Sequence, residues 1–175
     1  MSMTAPRLLL CATLLSLAGC SSGLPAIDPY TTFNLARTVS FPIPISESAG
    51  VDATVAVTGL IDSVNDYMKN HTHTDQLKTS QVTLINLTSS DPAYSLDHFG
   101  YARLLIGNDL VGADSTLFGT TDTLTTTRKD VTADLRGTSY PATLQFKLTS
   151  APTTPITITA TMTVIHTAWD TLVNH

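Results

Sequence analysis

The chain has 175 residues, of which 42% are apolar and 13% are charged, enough for a single globular domain with its own hydrophobic core. Acidic residues outnumber basic ones by 14 to 9, and the only adjacent basic pair, Arg128 and Lys129, is followed by Asp130. Because nucleic-acid binding requires a clustered Lys/Arg surface, this distribution argues against a nucleic-acid partner. All the acids except Glu47 are aspartates, a bias that favours turns over helices.

The first twenty residues have the pattern of a secretory signal. Arg7 supplies one positive charge, and residues 8–18 form an apolar run too short to span a membrane as a helix. The run ends in Leu17-Ala18-Gly19-Cys20, which resembles the lipobox of bacterial lipoproteins, where a hydrophobic residue and two small ones precede a modified cysteine. The resemblance implies signal cleavage between Gly19 and Cys20 and lipidation of Cys20. The alternative is an ordinary cleaved signal followed by an incidental cysteine.

A lipid on Cys20 would make the membrane a partner of this protein. The resemblance implies a diacylglyceryl group on the thiol and a further acyl chain on the freed amine, and two or more chains give persistent attachment. It also implies a cell-envelope location, with the outer membrane favoured over the inner because Ser21 rather than Asp follows the cysteine. Cys11 would leave with the signal, so the folded part would keep no thiol for a disulfide or a metal.

We therefore predict three segments. They are a cleaved signal peptide at 1–19, a lipidated N-terminus and flexible Pro/Gly/Ser-rich tether at 20–31, and a β-sandwich domain at 32–175.

The dominant period after residue 32 is two, which indicates half-buried strands. In 156–164 every even position is apolar and every odd position is threonine, and 142–148 repeats the alternation. The loop between these two runs is rich in Pro, Ser and Thr, so we predict that they form a hairpin. Further strands are predicted at 32–41, 51–57, 81–87 and 101–106, with weaker patterns at 115–120 and 124–131.

A single turn is predicted at 132–136, before Gly137. A longer helical pattern interrupts the strands once. Thr58 can cap the helix. Its apolar face consists of Leu60, Ile61, Val64, Tyr67 and Met68. Seven or eight short strands with little helix predict an all-β fold, an antiparallel β-sandwich, immunoglobulin-like or similar, with one short helix. The Cys…Trp…Cys pattern of antibody domains is absent.

Three short segments resemble small β-sandwich lipoproteins of Bacteroidota, a group of mostly unassigned activity. The segments are Gly-Leu-Ile-Asp-Ser-Val, Thr-Asp-Gln-Leu-Lys and Asp-Leu-Arg-Gly. The resemblance implies O-glycosylation at Asp-Ser/Thr-apolar triplets, which makes Thr123 and Thr171 candidate acceptors, although such triplets also arise by chance in a threonine-rich chain.

Candidate metal ligands are few, and no cofactor is expected. His71 and His73 would point the same way on an extended chain and could bind Zn²⁺ or Cu²⁺ together with Asp75, or they belong to an exposed polar loop. Asp62 and Asp66 lie one helical turn apart, a spacing suited to acid–base work or cation binding but equally typical of a solvated helix face.

Other polar and aromatic residues allow both a functional and a structural interpretation. Residues 107–109 with Asp114 have calcium-loop character but lack the ligand pattern of an EF-hand and are better interpreted as a turn. The four aromatic residues Tyr94, Tyr101, Tyr140 and Trp169 could stack on sugars or pack at strand ends. The three isolated histidines His98, His166 and His175 are expected at the surface or the core edge.

No catalytic motif is present, and two functions remain open. The favoured one is a non-enzymatic envelope lipoprotein whose domain binds a protein or a glycan, or serves as a structural module. The alternative is an envelope hydrolase or glycan-processing enzyme in which loop carboxylates such as Asp97 or Asp109 supply acid and base. Two carboxyl groups about 5–9 Å apart in a cleft would favour the enzyme.

Overall fold

A computed structural model of the protein describes residues 30–60 and 77–169, which form an antiparallel sheet of eight strands. A short 3-10 helix, Leu96–His98, precedes the fourth strand. The strands are β1 (Tyr30–Ile43), β2 (Asp52–Leu60), β3 (Leu77–Ser89), β4 (Phe99–Ile106), β5 (Asp109–Asp114), β6 (Thr121–Thr126), β7 (Ser139–Leu148) and β8 (Ile156–Trp169).

The strand order is β1-β8-β3-β6-β5-β4-β7-β2. Two residue pairs, Gly112 with Thr126 and Ala113 with Thr125, join the first four strands to the last four. The edge strands β1 and β2 also approach each other, so the curled sheet nearly closes on itself. All-β antiparallel architecture is therefore confirmed.

Alternating side chains explain why the two clearest strands form. In β8 the even-numbered residues from Ile156 to Ala168 are buried, and the threonines between them face outwards. In β7 the buried residues are Tyr140, Ala142, Leu144, Phe146 and Leu148. Because successive side chains point to opposite faces of a strand, this period places one face of each strand in the core. The largest fully buried side chains are Tyr140, Phe41, Phe146, Ile43, Ile85, Leu87, Leu96, Leu104, Ile106 and Leu124.

The predicted hairpin between 142–148 and 156–164 is wrong. β7 pairs with β2 and β4, whereas β8 pairs with β1 and β3. The connecting loop instead contacts the segment before β4, because the Thr149 N–H donates to the His98 carbonyl over 2.7 Å. Alternation specifies which face of a strand is buried but not which strand lies beside it.

The weaker strand patterns are only partly correct. Residues 115–120 form the loop between β5 and β6, and β6 ends at Thr126 rather than at 131. β5 was not predicted, because Val111 and Gly112 are both buried and break the alternation. The predicted turn near 132–136 is present, since the N–H groups of Asp134 and Leu135 donate to the Val131 carbonyl.

The order of strands also differs from that of an immunoglobulin domain, in which the first strand lies beside the second. Here β1 lies beside β8, and β2 is at the opposite edge of the sheet. Most of the predicted helix, residues 61–68, lies outside the described residues, and Leu60 is the last residue of β2.

The strand directions give the fold two ends. Strands β1, β3 and β7 begin at the N-terminal end, and strands β2 and β8 end there. At the distal end lie the loops 44–51, 90–98, 115–120 and 149–155, which are connected to one another or to strand ends by backbone hydrogen bonds such as that from Leu96 N–H to Gly119 carbonyl.

Close packing between β2 and β7 depends on a glycine. A Cβ atom at Gly59 would overlap the ring of Tyr140, its partner in the register. We expect Gly59→Ala to lower the free energy of unfolding by about 1–3 kcal/mol through overpacking, measured by urea denaturation.

Gly100→Ala is the matched control, because a Cβ there would meet its nearest atom at 3.6 Å, an ordinary contact. Its expected effect is within about 0.5 kcal/mol. Equal stability of the two variants would contradict the packing argument.

Candidate functional site

A polar surface covers the outer face of the sheet where β7, β4, β5 and β6 lie side by side. Residues directly opposite one another on antiparallel strands point to the same face. In one row Arg103 lies opposite Gln145 on one side and Ala113 on the other, and Ala113 lies opposite Thr125. In the next row Tyr101 lies opposite Lys147. We call this surface the outer face.

A β-bulge in β5 shapes this face. The pairing shifts from Leu105–Leu110 to Leu104–Gly112, which leaves Val111 as the extra residue. Bulges re-aim the side chains that follow them. An unshifted register would set Gly112 opposite Arg103, whereas the bulge sets Ala113 between Arg103 and Thr125.

The short Ala113 side chain leaves a cleft of about 330 Å³ on the outer face. We call it the Tyr101 cleft. Its lining residues are Tyr101, Arg103, Ala113, Asp114, Ser115 and Thr125. Aromatic, cationic, anionic and hydroxyl groups therefore meet around an apolar floor.

Internal contacts position the polar groups of the Tyr101 cleft. The Arg103 guanidinium carbon lies 5.2 Å from the centroid of the Tyr101 ring, a cation–π geometry. Asp114 accepts hydrogen bonds from the Thr116 N–H at 3.0 Å and from the Thr125 hydroxyl at 3.5 Å. Partial burial, together with the Asp52 carboxylate and a hydrogen bond to it, raises the pKa of Tyr101, so this hydroxyl remains a neutral donor.

A second cleft, of about 310 Å³, lies at the N-terminal end beside Lys78, Asp130, Thr132 and Arg136. Burial acts to raise the pKa of Asp130. Hydrogen bonds from Thr132 and from the Ser80 N–H act in the opposite direction, as does the charge of Arg136, and the pKa lies below its ordinary value. Its Oδ1 accepts the hydrogen bonds from Ser80 and Thr132, so Asp130 connects the loop before β7 to β3.

An apolar groove of about 440 Å³ lies at the distal end, where β1 finishes and β8 begins. Ile45 beside it is 56% exposed. The lining residues are Pro42, Ile43, Pro44, Ile45, Pro155, Ile156 and Thr157.

A polar cluster is buried inside the fold around His166. Its Nδ1 lies 2.8 Å from the Ser80 hydroxyl, and the Phe33 ring stacks on it with centroids 5.2 Å apart. Burial, with a smaller contribution from the charge of Arg37, lowers the pKa of His166 to about 4. Its Nε2 and the Tyr140 hydroxyl have no hydrogen-bond partner among the described residues. We had expected His166 at the surface or the core edge, but it is fully buried because the even-numbered inward positions of β8 continue past Val164.

The two carboxylates considered for catalysis are not neighbours. Asp97 precedes β4 and Asp109 follows it, and an eight-residue strand spans roughly 25 Å. A hydrogen bond from the Ser95 hydroxyl at 2.6 Å lowers the pKa of Asp97, and Asp109 forms an ion pair with Lys129 at 3.1 Å. Asp109 and Asp114 also lie at opposite ends of β5, so they cannot share a cation.

Among the candidate aromatic residues, the three described tyrosines Tyr94, Tyr101 and Tyr140 do not form a common platform. Tyr94 and Tyr140 are buried, and the Tyr94 hydroxyl donates to the Ser150 carbonyl. His98 contacts Tyr94 and bonds the Ser150 hydroxyl through Nδ1 at 2.9 Å.

The candidate glycan acceptor Thr123 is exposed on β6 and donates to Asn86 at 2.9 Å.

Several candidate residues lie outside the described residues, or their side chains do. These are Cys20, Asp62, Asp66, His71, His73, Asp75, Trp169, Thr171 and His175. Within residues 30–60 and 77–169, no group of three or more metal-ligating side chains is present. No helix in the described part of the chain is long and apolar enough to cross a membrane.

No protein-family model and no curated protein matches the chain. Solved structures that match the chain are similar to it at a low level, as three of them show. The BFDV capsid protein is 13% identical, with a TM-score of 0.36 over 79% of this chain and 99% of that one. FLHE is 12% identical, with a TM-score of 0.33 over 80% and 97%. A Desmodium yellow mottle tymovirus chain is 12% identical, with a TM-score of 0.27 over 79% and 89%. Such similarity carries no argument about function.

The buried His166 predicts acid sensitivity. Its pKa is about 4 in the folded state and 6.5 ordinarily, so between these values the unfolded chain binds a proton that the native protein does not. Stability is therefore full above pH 6.5 and falls by about 3 kcal/mol as the pH drops to 4, as urea denaturation at several pH values will measure.

In His166→Asn, an amide replaces the titrating ring and can still bond Ser80. We expect this loss between pH 6.5 and 4.5 to disappear in the variant, while the pH dependence above 7 stays that of the parent. An unchanged slope below pH 6.5 would rule out His166 as the cause.

Proposed function

We propose that this chain is a lipid-anchored cell-envelope protein whose β-domain has a binding or structural role and no catalytic one. The observation that carries the proposal is the segment Leu17-Ala18-Gly19-Cys20 at the end of a short apolar run. The proposed partners are the membrane, through the lipid on Cys20, and a protein or glycan of the envelope. The outer membrane is the favoured location because Ser21 follows the cysteine.

We further propose that the domain is a two-layered sandwich of the jelly-roll kind rather than the immunoglobulin kind. The order β1-β8-β3-β6 followed by β5-β4-β7-β2 divides into two groups of four strands, each pairing early strands with late ones. Jelly rolls arrange eight strands in two such layers. The few pairs between β5 and β6 support a division at that point.

The position of the anchor determines which surfaces are available to a partner. Tyr30, the first residue of β1, follows Cys20 by ten residues, which span at most about 35 Å when extended. The N-terminal end of the fold is therefore the one tethered near the membrane. The distal loops and the outer face remain accessible to envelope components.

The alternative of an envelope hydrolase receives no support from the described residues. A carboxylate pair for glycoside hydrolysis needs a separation of about 5–9 Å, whereas Asp97 and Asp109 lie at opposite ends of β4. Asp97 already accepts a hydrogen bond from Ser95, and Asp109 already forms an ion pair with Lys129.

Replacing the proposed lipid attachment site tests the anchor. We expect Cys20→Ser to abolish incorporation of labelled palmitate and to move the protein from the membrane fraction to the soluble fraction, because a chain without its acyl groups loses the apolar surface that holds it in the bilayer. Intact mass and fractionation measure both effects.

Cys11→Ser is the matched control, since Cys11 lies within the apolar run and is not the residue that follows Gly19. It should leave labelling and membrane association unchanged. Membrane retention of Cys20→Ser without label would refute the lipid anchor.

A further inference from the structure

We infer that the Tyr101 cleft binds a saccharide that carries a carboxylate, of the uronic-acid type. This inference rests on the proposed binding role of the domain and names the ligand class and the residues. It depends on three observations: the cations on the outer face, the hydroxyl-rich lining of the cleft, and the size and openness of the site.

Two cationic side chains lie near each other on the outer face. Arg103 and Lys147 are exposed diagonal neighbours on β4 and β7, and neither forms an ion pair with a carboxylate among residues 30–60 and 77–169. The carboxylates nearby accept hydrogen bonds from neutral groups: Asp52, opposite Lys147 in the register, accepts from Tyr101, and Asp114 accepts from Thr116 and Thr125. Because neither Arg103 nor Lys147 is held in an ion pair within these ranges, both can contact an anionic ligand.

The chemistry of the cations favours a carboxylate. A guanidinium matches the two oxygens of a carboxylate with two parallel hydrogen bonds. The ring of Tyr101 contacts the Arg103 guanidinium and so restricts it to the wall of the cleft.

The remaining lining matches sugar hydroxyls, which both donate and accept hydrogen bonds. Ser115 and Thr125 supply hydroxyls, and Asp114 supplies carboxylate oxygens. Ala113 provides an apolar floor for the carbon face of a sugar ring. An apolar ligand would leave these polar groups without partners, and a bare phosphate would leave most of the hydroxyls unused.

The size of the Tyr101 cleft fits a short stretch of saccharide. Its volume of about 330 Å³ is near the lower limit of roughly 300 Å³ for ligand pockets. Because it lies on the open outer face, a longer chain can continue along the neighbouring strands. We therefore expect weak binding, with a Kd of about 0.1–1 mM.

The test uses the full chain in detergent micelles and isothermal titration calorimetry. The probes are a tetrasaccharide that alternates glucuronic acid with N-acetylglucosamine, the neutral tetramer of N-acetylglucosamine, and inorganic phosphate. We expect saturable binding of the acidic probe and binding of the neutral probe at least roughly ten-fold weaker, because the charge-assisted bonds are lost. Equal binding of both tetrasaccharides, saturation by phosphate with similar affinity, or no binding of the acidic probe would overturn the inference.

Two variants locate the site. Arg103→Gln should weaken binding of the acidic probe at least roughly ten-fold. Ala113→Phe should block the cleft while Arg103 remains, and the change favours strand structure because phenylalanine has the higher strand propensity. Arg128→Gln removes an exposed arginine outside the cleft and is the matched control, with unchanged affinity expected. Binding that survives both cleft variants would place the saccharide elsewhere and refute the assignment.

The same preparation separates this inference from the proposed anchoring. If the acylated, membrane-bound protein does not bind the acidic probe, the saccharide inference alone fails. If Cys20 carries no lipid but the probe binds through Arg103, the anchoring proposal alone fails.

Discussion

The long antiparallel pairing of β8 with β1 and β3 is the constraint on which the rest of the structure depends. β1 pairs with β8 along its whole length, and β3 flanks the other side. Threonine occupies five of the six outward positions between Ile156 and Ala168, with Ile165 as the exception, and it preserves strand propensity while adding little apolar surface. Because a shift of one residue would expose every buried side chain, the period of two in β8 fixes the unbroken register of β1 against β8, whereas β3 follows β8 with irregularities at Lys78 and Thr83.

The remaining strands meet that frame through a less regular region, and the candidate site lies there. β5 and β6 share only two pairs, and β5 contains the bulge at Val111. An unbroken strand would have reversed the faces of the residues that follow the bulge. The Tyr101 cleft thus lies where an irregular pairing connects the two groups of four strands.

The sequence predicts strands best where alternation is strict. The positions of β7 and β8 followed from their apolar even-numbered residues, but their neighbours did not, since alternation contains no information about lateral pairing. β5 could not be predicted from alternation, because the consecutive residues Val111 and Gly112 are both buried. The site was harder to predict: Tyr101 and Asp114 were noted separately, as part of an aromatic set and of a calcium-like loop. Arg103 joins them only through the register of β4 against β5.

The interior is not uniform from one end to the other, and this difference bears on function. Towards the distal end the core contains Phe41, Ile43, Phe99 and Phe146, whereas the inward positions nearer the N-terminal end include Arg37, Ser80, Tyr140 and His166. Burying charged and polar groups opposes the gain from apolar packing, so local opening should begin at the N-terminal end.

The Tyr101 cleft lies beside the apolar half, since Tyr101 and Arg103 are near the beginning of β4, next to Phe99. A weak saccharide site needs side chains that are already fixed before the ligand arrives, because ordering them on binding would consume much of a small binding free energy. The better-packed half of the fold provides that rigidity, while the polar half adjoins the start of β1, where the proposed tether would join the domain.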